Sequence, residues 1–292
     1  MIDEPLVSIV TPNHNYGRFL CDTISSVKNQ DYDKIEHIVV DAASTDDTLR
    51  ILESNVDKYN LTWISEPDQG QSDAINKGFA LGRGRIVAEL DSDDVYLTKD
   101  VVSYVVDQFM KHPEVDVIFG NDALVNENNV IFSVRKVNAW DYDRVLRGRA
   151  ISQPATFFRR EVIDQNLWRT DLKYSMDLEY WLRLGKRYRF LRVDKILAGN
   201  RIHKARKRLS SRKLAEIEDR RVLQMYGQEY RFSSTVRSLI DIPEMYFRRL
   251  LGIRDLLDMR KHPSNLAFNG KFARSMLGAL AGQIVPSLWV VS

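Results

Sequence analysis

Four polar clusters each follow a short apolar run in the first hundred residues: Thr11-Pro12-Asn13-His14-Asn15, Asp41, Glu66-Pro67-Asp68 and Asp91-Ser92-Asp93-Asp94. Three of the four hold carboxylates. Acids gathered along one edge of a structure repel each other unless a cation or a ligand's donors satisfy them. In Asp91-Ser92-Asp93, two carboxylates with one residue between them project from the same side of an extended segment. Such a pair can share a hard cation, Mg²⁺ or Mn²⁺, whose other ligands are phosphate oxygens and water. The same string also suits an Asp-rich turn that caps a helix. Asp41, in VVDAASTDDT, can accept the ring N–H of a uracil or serve as a turn carboxylate. Asp68, Gln69, Gly70, Gln71 and Asp73 open a helical pattern whose first-turn side chains and free N–H groups face the same edge.

The elements that must position these residues alternate in type. Apolar runs at 6–10, 35–40, 61–64, 85–90 and 115–119 read as strands, and 16–29, 46–55, 71–81 and 98–111 as helices. Strand–helix repetition of this kind predicts an α/β fold, a doubly wound and mostly parallel sheet with helices on both faces. Ligands bind such sheets beyond the carboxyl ends of the strands, where the four clusters lie. Beyond residue 120 the pattern loosens: 130–134, 155–158 and 189–193 read as strands and 176–186 as a helix. From about residue 210 the chain reads as helical and basic, ending in an apolar stretch over 276–291.

At this point the ordered strings VSIVTPNHNYGRFL, HIVVDAASTDDT, SEPDQGQSDAINKGFALGRG, LDSDDVYLTKD, QPATFFRR, MDLEYWLRL and NRIHKARKRLS resemble the family 2 glycosyltransferases, which have the GT-A fold. The resemblance covers residues 5–210. It implies a GT-A catalytic domain over 1–210, divided into a nucleotide-sugar part (1–120) and an acceptor part (121–210), with a helical extension over 211–292. It implies transfer of a sugar, with inversion, from a nucleotide-sugar donor (UDP-sugar favoured) to a hydroxyl of a glycan or lipid-linked glycan in cell-surface polysaccharide synthesis. The cofactor implied is Mn²⁺ or Mg²⁺.

Residue by residue, the resemblance puts Thr11, Pro12 and Asn15 in a first loop over the nucleotide, with His14 near the base. Asp41 would bind the uracil, Asp73 the base or ribose edge, and Asp91 and Ser92 the donor. Asp93 with Asp91 would ligate the metal, joined by His203. Asp177 falls at the catalytic base, although Met176 replaces the glutamate usual before it; Glu179 is the fallback. Gln153, Trp181, Arg201 and Arg206 fall on the diphosphate or acceptor side, and Trp168 is a further sugar contact.

Composition agrees with a packed protein: 44% of the 292 residues are hydrophobic and 28% charged. The single cysteine, Cys21, excludes an internal disulfide and reads as a small core residue. The N-terminus lacks a secretory leader pattern, and no run reaches the ~18 apolar residues of a membrane span. The expectation is a cytoplasmic protein, soluble or peripheral at the inner face of the membrane. Residues 1–130 carry 10 Lys/Arg and 24 Asp/Glu, whereas 131–292 carry 33 and 16. The basic second half suits an anionic membrane surface or a homo-oligomer contact. No nucleic-acid module accompanies it, so nucleic acid is excluded as partner. A sugar nucleotidyltransferase would show a Gly-rich loop followed by Lys near the N-terminus, where this chain has TPNHNYG. A non-catalytic protein that kept the fold is the other alternative.

Overall fold

In the computed structural model, residues 4–148, 150–207 and 211–227 are described. Their elements run β1 (Val7–Asn13), α1 (Gly17–Lys28), β2 (Ile35–Asp41), α2 (Thr48–Glu53), β3 (Leu61–Ser65), α3 (Gln71–Leu81), β4 (Ile86–Glu89), α4 (Val101–Lys111), β5 (Val117–Val125), β6 (Ile131–Arg135), α5 (Tyr142–Leu146), β7 (Thr156–Arg159), α6 (Arg160–Asp164), α7 (Met176–Leu184), β8 (Phe190–Arg201) and α8 (Arg212–Met225). The strands form one eight-stranded sheet in the order β3-β2-β1-β4-β7-β5-β6, with β8 on β5. β3, β2, β1 and β4 are parallel neighbours. β7 is antiparallel to both β4 and β5, whereas β8 runs parallel to β5.

Both faces of the sheet are covered, as the alternating pattern requires. Val10, Ile38, Val40 and Val87 pack with Ala74, Ile75 and Phe79 of α3 and with Tyr180, Trp181 and Leu184 of α7. Val7, Ile9, Ile86 and Ala88 point to the other face, against Val101, Val102, Val105 and Phe109 of α4. Each such apolar side chain contributes about 1.5–3 kcal/mol on burial. The residues of α1 that turn inward, Phe19, Leu20, Ile24 and Val27, recur at helical spacing. α3 lies so close to β1 that a Cβ on Gly78 would come within 2.3 Å of Val10 Cγ1.

Three expectations change here. β8 continues to Arg201 rather than stopping near 193, because it pairs with β5 along its whole length across two register shifts. The short helices α5 and α6 went unread, since five residues are too few to show a period. Cys21 is exposed on α1 rather than buried.

α8 packs on the α7 side of the sheet, where Val222 and Leu223 join the core. No helix among the described residues is long and apolar enough to cross a membrane. Of the expected membrane-facing or self-associating segment, residues 228–292, including 276–291, lie outside the described residues.

Candidate active site

The carboxyl ends of β1, β2 and β4 converge as the parallel topology dictates. After β4 the chain turns sharply at Asp91-Ser92-Asp93-Asp94, where the Asp94 N–H bonds the Asp91 carbonyl at 2.9 Å. Thr23 of α1 donates its hydroxyl to the carbonyls of both Ser92 and Asp94. Ser92 is buried, its carbonyl held by α1. The turn brings one carboxylate oxygen each of Asp91, Asp93 and Asp94 within 4.8 Å of one another. Burial, then the charge of Asp93, pushes the Asp91 carboxyl up to about 6. The same two causes, in the same order, raise Asp94 well above the ordinary carboxylate range. Three acids this close fit a divalent cation, which removes the repulsion that raises them.

Around the cluster stand groups that orient it. Gln71, the first residue of α3, donates to Asp91 Oδ1 at 2.6 Å. The Asp94 carboxylate accepts the Arg201 N–H at 2.7 Å. His203 Nε2 lies 2.8 Å from Asp93 Oδ2, its ring held between Tyr16 and Phe19 at 5.4 and 4.7 Å. In this arrangement His203 orients Asp93 and its Nε2 is already engaged, so the expected direct ligation needs that bond replaced. Tyr16 donates its hydroxyl to the Ala205 carbonyl, pinning the loop that carries Arg206 and Lys207. Burial, then the negative charges of Asp93 and Asp91, pushes the Tyr16 hydroxyl up to about 12; the charge of Arg206 opposes them. The charge of Arg206 also favours the ionised forms of Asp91 and Asp94.

Glu89, the last residue of β4, is 1% exposed and no protein donor reaches its carboxyl oxygens. Burial, followed by the charge of Asp91, raises it well above the usual range. That direction favours its neutral form. Glu89→Gln keeps the size and neutrality of that form and is expected to keep the wild-type melting temperature. Glu89→Ala leaves the buried space unfilled and is expected to cost about 0.5–3 kcal/mol. Thermal denaturation of the two variants checks this; equal losses would refute the neutral form.

At the β1–β2 edge the structure corrects part of the expected nucleotide loop. Thr11 and Pro12 lie inside β1 and are buried. The Thr11 hydroxyl meets His37 Nε2 at 2.9 Å, and burial holds His37 down to about 3. Asn15, at φ 57°, bridges the two loops: its N–H donates to Ser44 Oγ and its Oδ1 accepts from Thr45 N. His14 is exposed beside it. Asp41 is 0% exposed. Its oxygens accept from Asn13 Nδ2, the Ser44 hydroxyl, the Ser44 N–H and the Ser65 hydroxyl, at 2.5–2.9 Å. A base N–H reaching Asp41 must displace one of these hydroxyls. Asp73 accepts the Gln69 N–H and pairs with Lys77, tightening the turn at Gly70, whose φ of +116° suits glycine.

Asp177 stands in the first turn of α7, and its Oδ1 accepts the Leu178 N–H at 2.8 Å. Ser72, next to Gln71, donates to Met176 Sδ at 3.0 Å. Successive residues of α3 thus touch the acidic turn and the residue before Asp177. Gln153 reaches the Glu89 carbonyl at 3.3 Å, so it stands at the floor between them.

Four expected site residues are placed elsewhere. Glu179 is buried, paired with Arg183 at 2.9 and 3.0 Å and accepting from Tyr226, so its lone pairs are occupied. Trp181 is 0% exposed and stacks on Phe158. Trp168 stacks on Tyr180 in the same core. Arg201 is 0% exposed beneath the acidic turn. It donates to the carbonyls of Asp93 and Glu127 and to Asp22, and lies over Phe19. It clamps the turn rather than facing a diphosphate.

The sequence pattern described as Glycosyl transferase family 2 matches residues 8–176, from β1 through the acidic turn to the start of α7. The chain belongs to glycosyl transferase family 2. A stretch of 201 residues is 26% identical to chondroitin synthase of Escherichia coli, covering 68% of this chain but 29% of that protein. The chain therefore spans less than a third of this relative. Among solved structures, S. aureus TarS 1-349 in complex with UDP-GlcNAc superposes with a TM-score of 0.60 at 19% identity, over 85% of this chain and 79% of that one. The mannosyltransferase PcManGT from Pyrobaculum calidifontis, in complex with GDP-Man and Mn²⁺, gives 0.60 at 20% identity, over 78% and 66%. At these identities the likeness establishes the fold, which is GT-A. The chain departs from the sequence expectation chiefly in what surrounds its acidic turn: Tyr16, Ser72 and Glu89 were not singled out, and Gln71 only as one of the first-turn residues facing this edge. A glutamate inside the apolar run IVAEL was the one local signal for them.

Proposed function

We propose that the chain is an inverting, divalent-metal-dependent glycosyltransferase that moves a sugar from a nucleotide donor, UDP-sugar favoured, to a hydroxyl of a glycan or lipid-linked glycan. The observation that carries this is the α3 N-terminus, where Gln71 holds Asp91 and Ser72 contacts Met176. It sets a cation-holding turn and a carboxylate base on either side of one helix end. Asp91 and Asp93 would hold Mn²⁺ or Mg²⁺, with Asp94 supporting the turn. Once bound, that ion supplies positive charge against the diphosphate.

Asp177 accepts the proton of the acceptor hydroxyl as its oxygen bonds the anomeric carbon and the bond to the diphosphate breaks. One base and a direct displacement give inversion. Arg206 and Lys207 offset charge on the departing diphosphate, on a loop fixed by Tyr16. Asp73, Asn15 and Asp41 border the nucleotide end, where Asp41 exchanges a hydroxyl donor for the base N–H. The UDP-GlcNAc in TarS supports a UDP-sugar donor, the Mn²⁺ in PcManGT supports the metal, and chondroitin synthase supports a polysaccharide product.

The test is a donor screen. Purified protein with Mn²⁺ is incubated with UDP-, GDP- and dTDP-sugars, and nucleoside diphosphate release is measured. Release from a UDP-sugar that stops with EDTA is the expected result. Release from only a GDP- or dTDP-sugar would overturn the donor assignment. Unimpaired release in EDTA would overturn the metal.

A further inference from the structure

The segment that leads into α7 is gripped from outside the region that matches the family. Glu218, in the second turn of α8, accepts the N–H of Lys173 at 3.0 and 3.1 Å with its two oxygens. Its Oε2 also accepts the N–H of Tyr174 at 2.5 Å and of Ser175 at 2.8 Å. Asp219, 1% exposed, takes the Ser175 hydroxyl at 2.7 Å. Ser175 is the N-cap residue of α7 but makes no side-chain bond to its own helix; α8 holds it instead. Lower down, Tyr226 donates to Glu179 of α7 at 2.8 Å. Lys207 lies over the Tyr174 ring at 5.8 Å, so the segment held by Glu218 also supports the loop on the diphosphate side.

Three consecutive N–H groups converging on one carboxylate fix both the position and the direction of a loop, because charge-assisted bonds are short and directional. Asp177 follows two residues after the last of them. General-base catalysis depends on the base meeting the hydroxyl within hydrogen-bond reach, and a shift of 1 Å can cost about 100-fold in rate. We propose that Glu218 is a positioning residue for this reaction: it holds residues 173–175 so that the Asp177 carboxylate stands where the acceptor proton leaves. The proposal rests on the reading of Asp177 as base.

The experiment compares Glu218→Ala, Glu218→Gln and Asp177→Asn in the full chain. It measures Mn²⁺-dependent UDP binding by calorimetry and nucleoside diphosphate release from the donor found in the screen. Glu218→Ala is expected to bind UDP within about threefold of wild type while kcat falls by about 10- to 100-fold at unchanged donor KM. Glu218→Gln keeps an acceptor oxygen and is expected to recover most of the loss. Wild-type kcat in Glu218→Ala, with Asp177→Asn inactive, overturns the positioning role and leaves the base assignment standing. Activity in Asp177→Asn overturns the base assignment itself. If the alanine variant does not fold, Glu218→Asp, which withdraws the carboxylate by one methylene, decides: a lowered kcat at intact UDP affinity supports the role, and wild-type kcat or a parallel loss of both overturns it.

Discussion

Asp177→Asn is expected to lower kcat by about a thousandfold while UDP binding in Mn²⁺ stays within about threefold of wild type. The side chain sits in the first turn of α7 with one oxygen on the Leu178 N–H. An asparagine carbonyl keeps that bond, so the helix start survives. It loses only the capacity to take a proton. The contrast is Glu179→Gln. Glu179 is bound by Arg183 and Tyr226 in the core, and breaking a buried pair costs about 3–5 kcal/mol. That variant is expected to melt earlier yet retain turnover in its folded fraction. Steady-state kinetics alongside thermal denaturation separate the two. A reversed pattern, with Asp177→Asn active and folded Glu179→Gln dead, would move the base to Glu179.

The placement of these two acids shows what sequence reading reaches. Strands ending in acids were legible because period-2 and period-3.6 patterns differ, and because parallel strands put their carboxyl ends together. The acidic turn lies where that logic puts it, whereas the first turn of α7 was reached only through the resemblance. Which face of α7 meets the core was not legible from motif matching. Glu179, Trp181 and Arg201 stand in matching strings, yet their burial is set by partners at Arg183, Phe158 and Asp22, the last two far off in sequence. Glu218 left no signal, because its targets at 173–175 are reached only after α8 folds back. The length of β8 was hidden for a related reason: its extension follows from non-local pairing with β5 rather than from its own residues.

Asp93→Ala is expected to weaken UDP binding in Mn²⁺ by at least about 100-fold, since even residues behind a metal ligand are worth about 10- to 100-fold. The raised Asp91 carboxyl gives the pH course. Its value of about 6 means that protons compete with the cation, so Mn²⁺-dependent UDP affinity falls as the pH drops through about 6. Stability without metal moves the other way. Asp91 is raised in the folded chain from 3.8 to about 6. Its protonated form therefore favours the fold, a contribution fully present below pH 3.8 and lost as the pH rises through 6. Melting temperature in EDTA should fall across that window, and Mn²⁺ should restore it most above pH 6. Burial is the larger cause of the shift and the charge of Asp93 the next, so Asp93→Ala should flatten the slope without abolishing it. The alanine also strips His203 Nε2 of its 2.8 Å partner, which lowers the melting temperature at every pH. The variant is thus expected to combine a shallower pH slope with indifference to Mn²⁺. A variant still stabilised by Mn²⁺ like wild type would place the ion on other ligands.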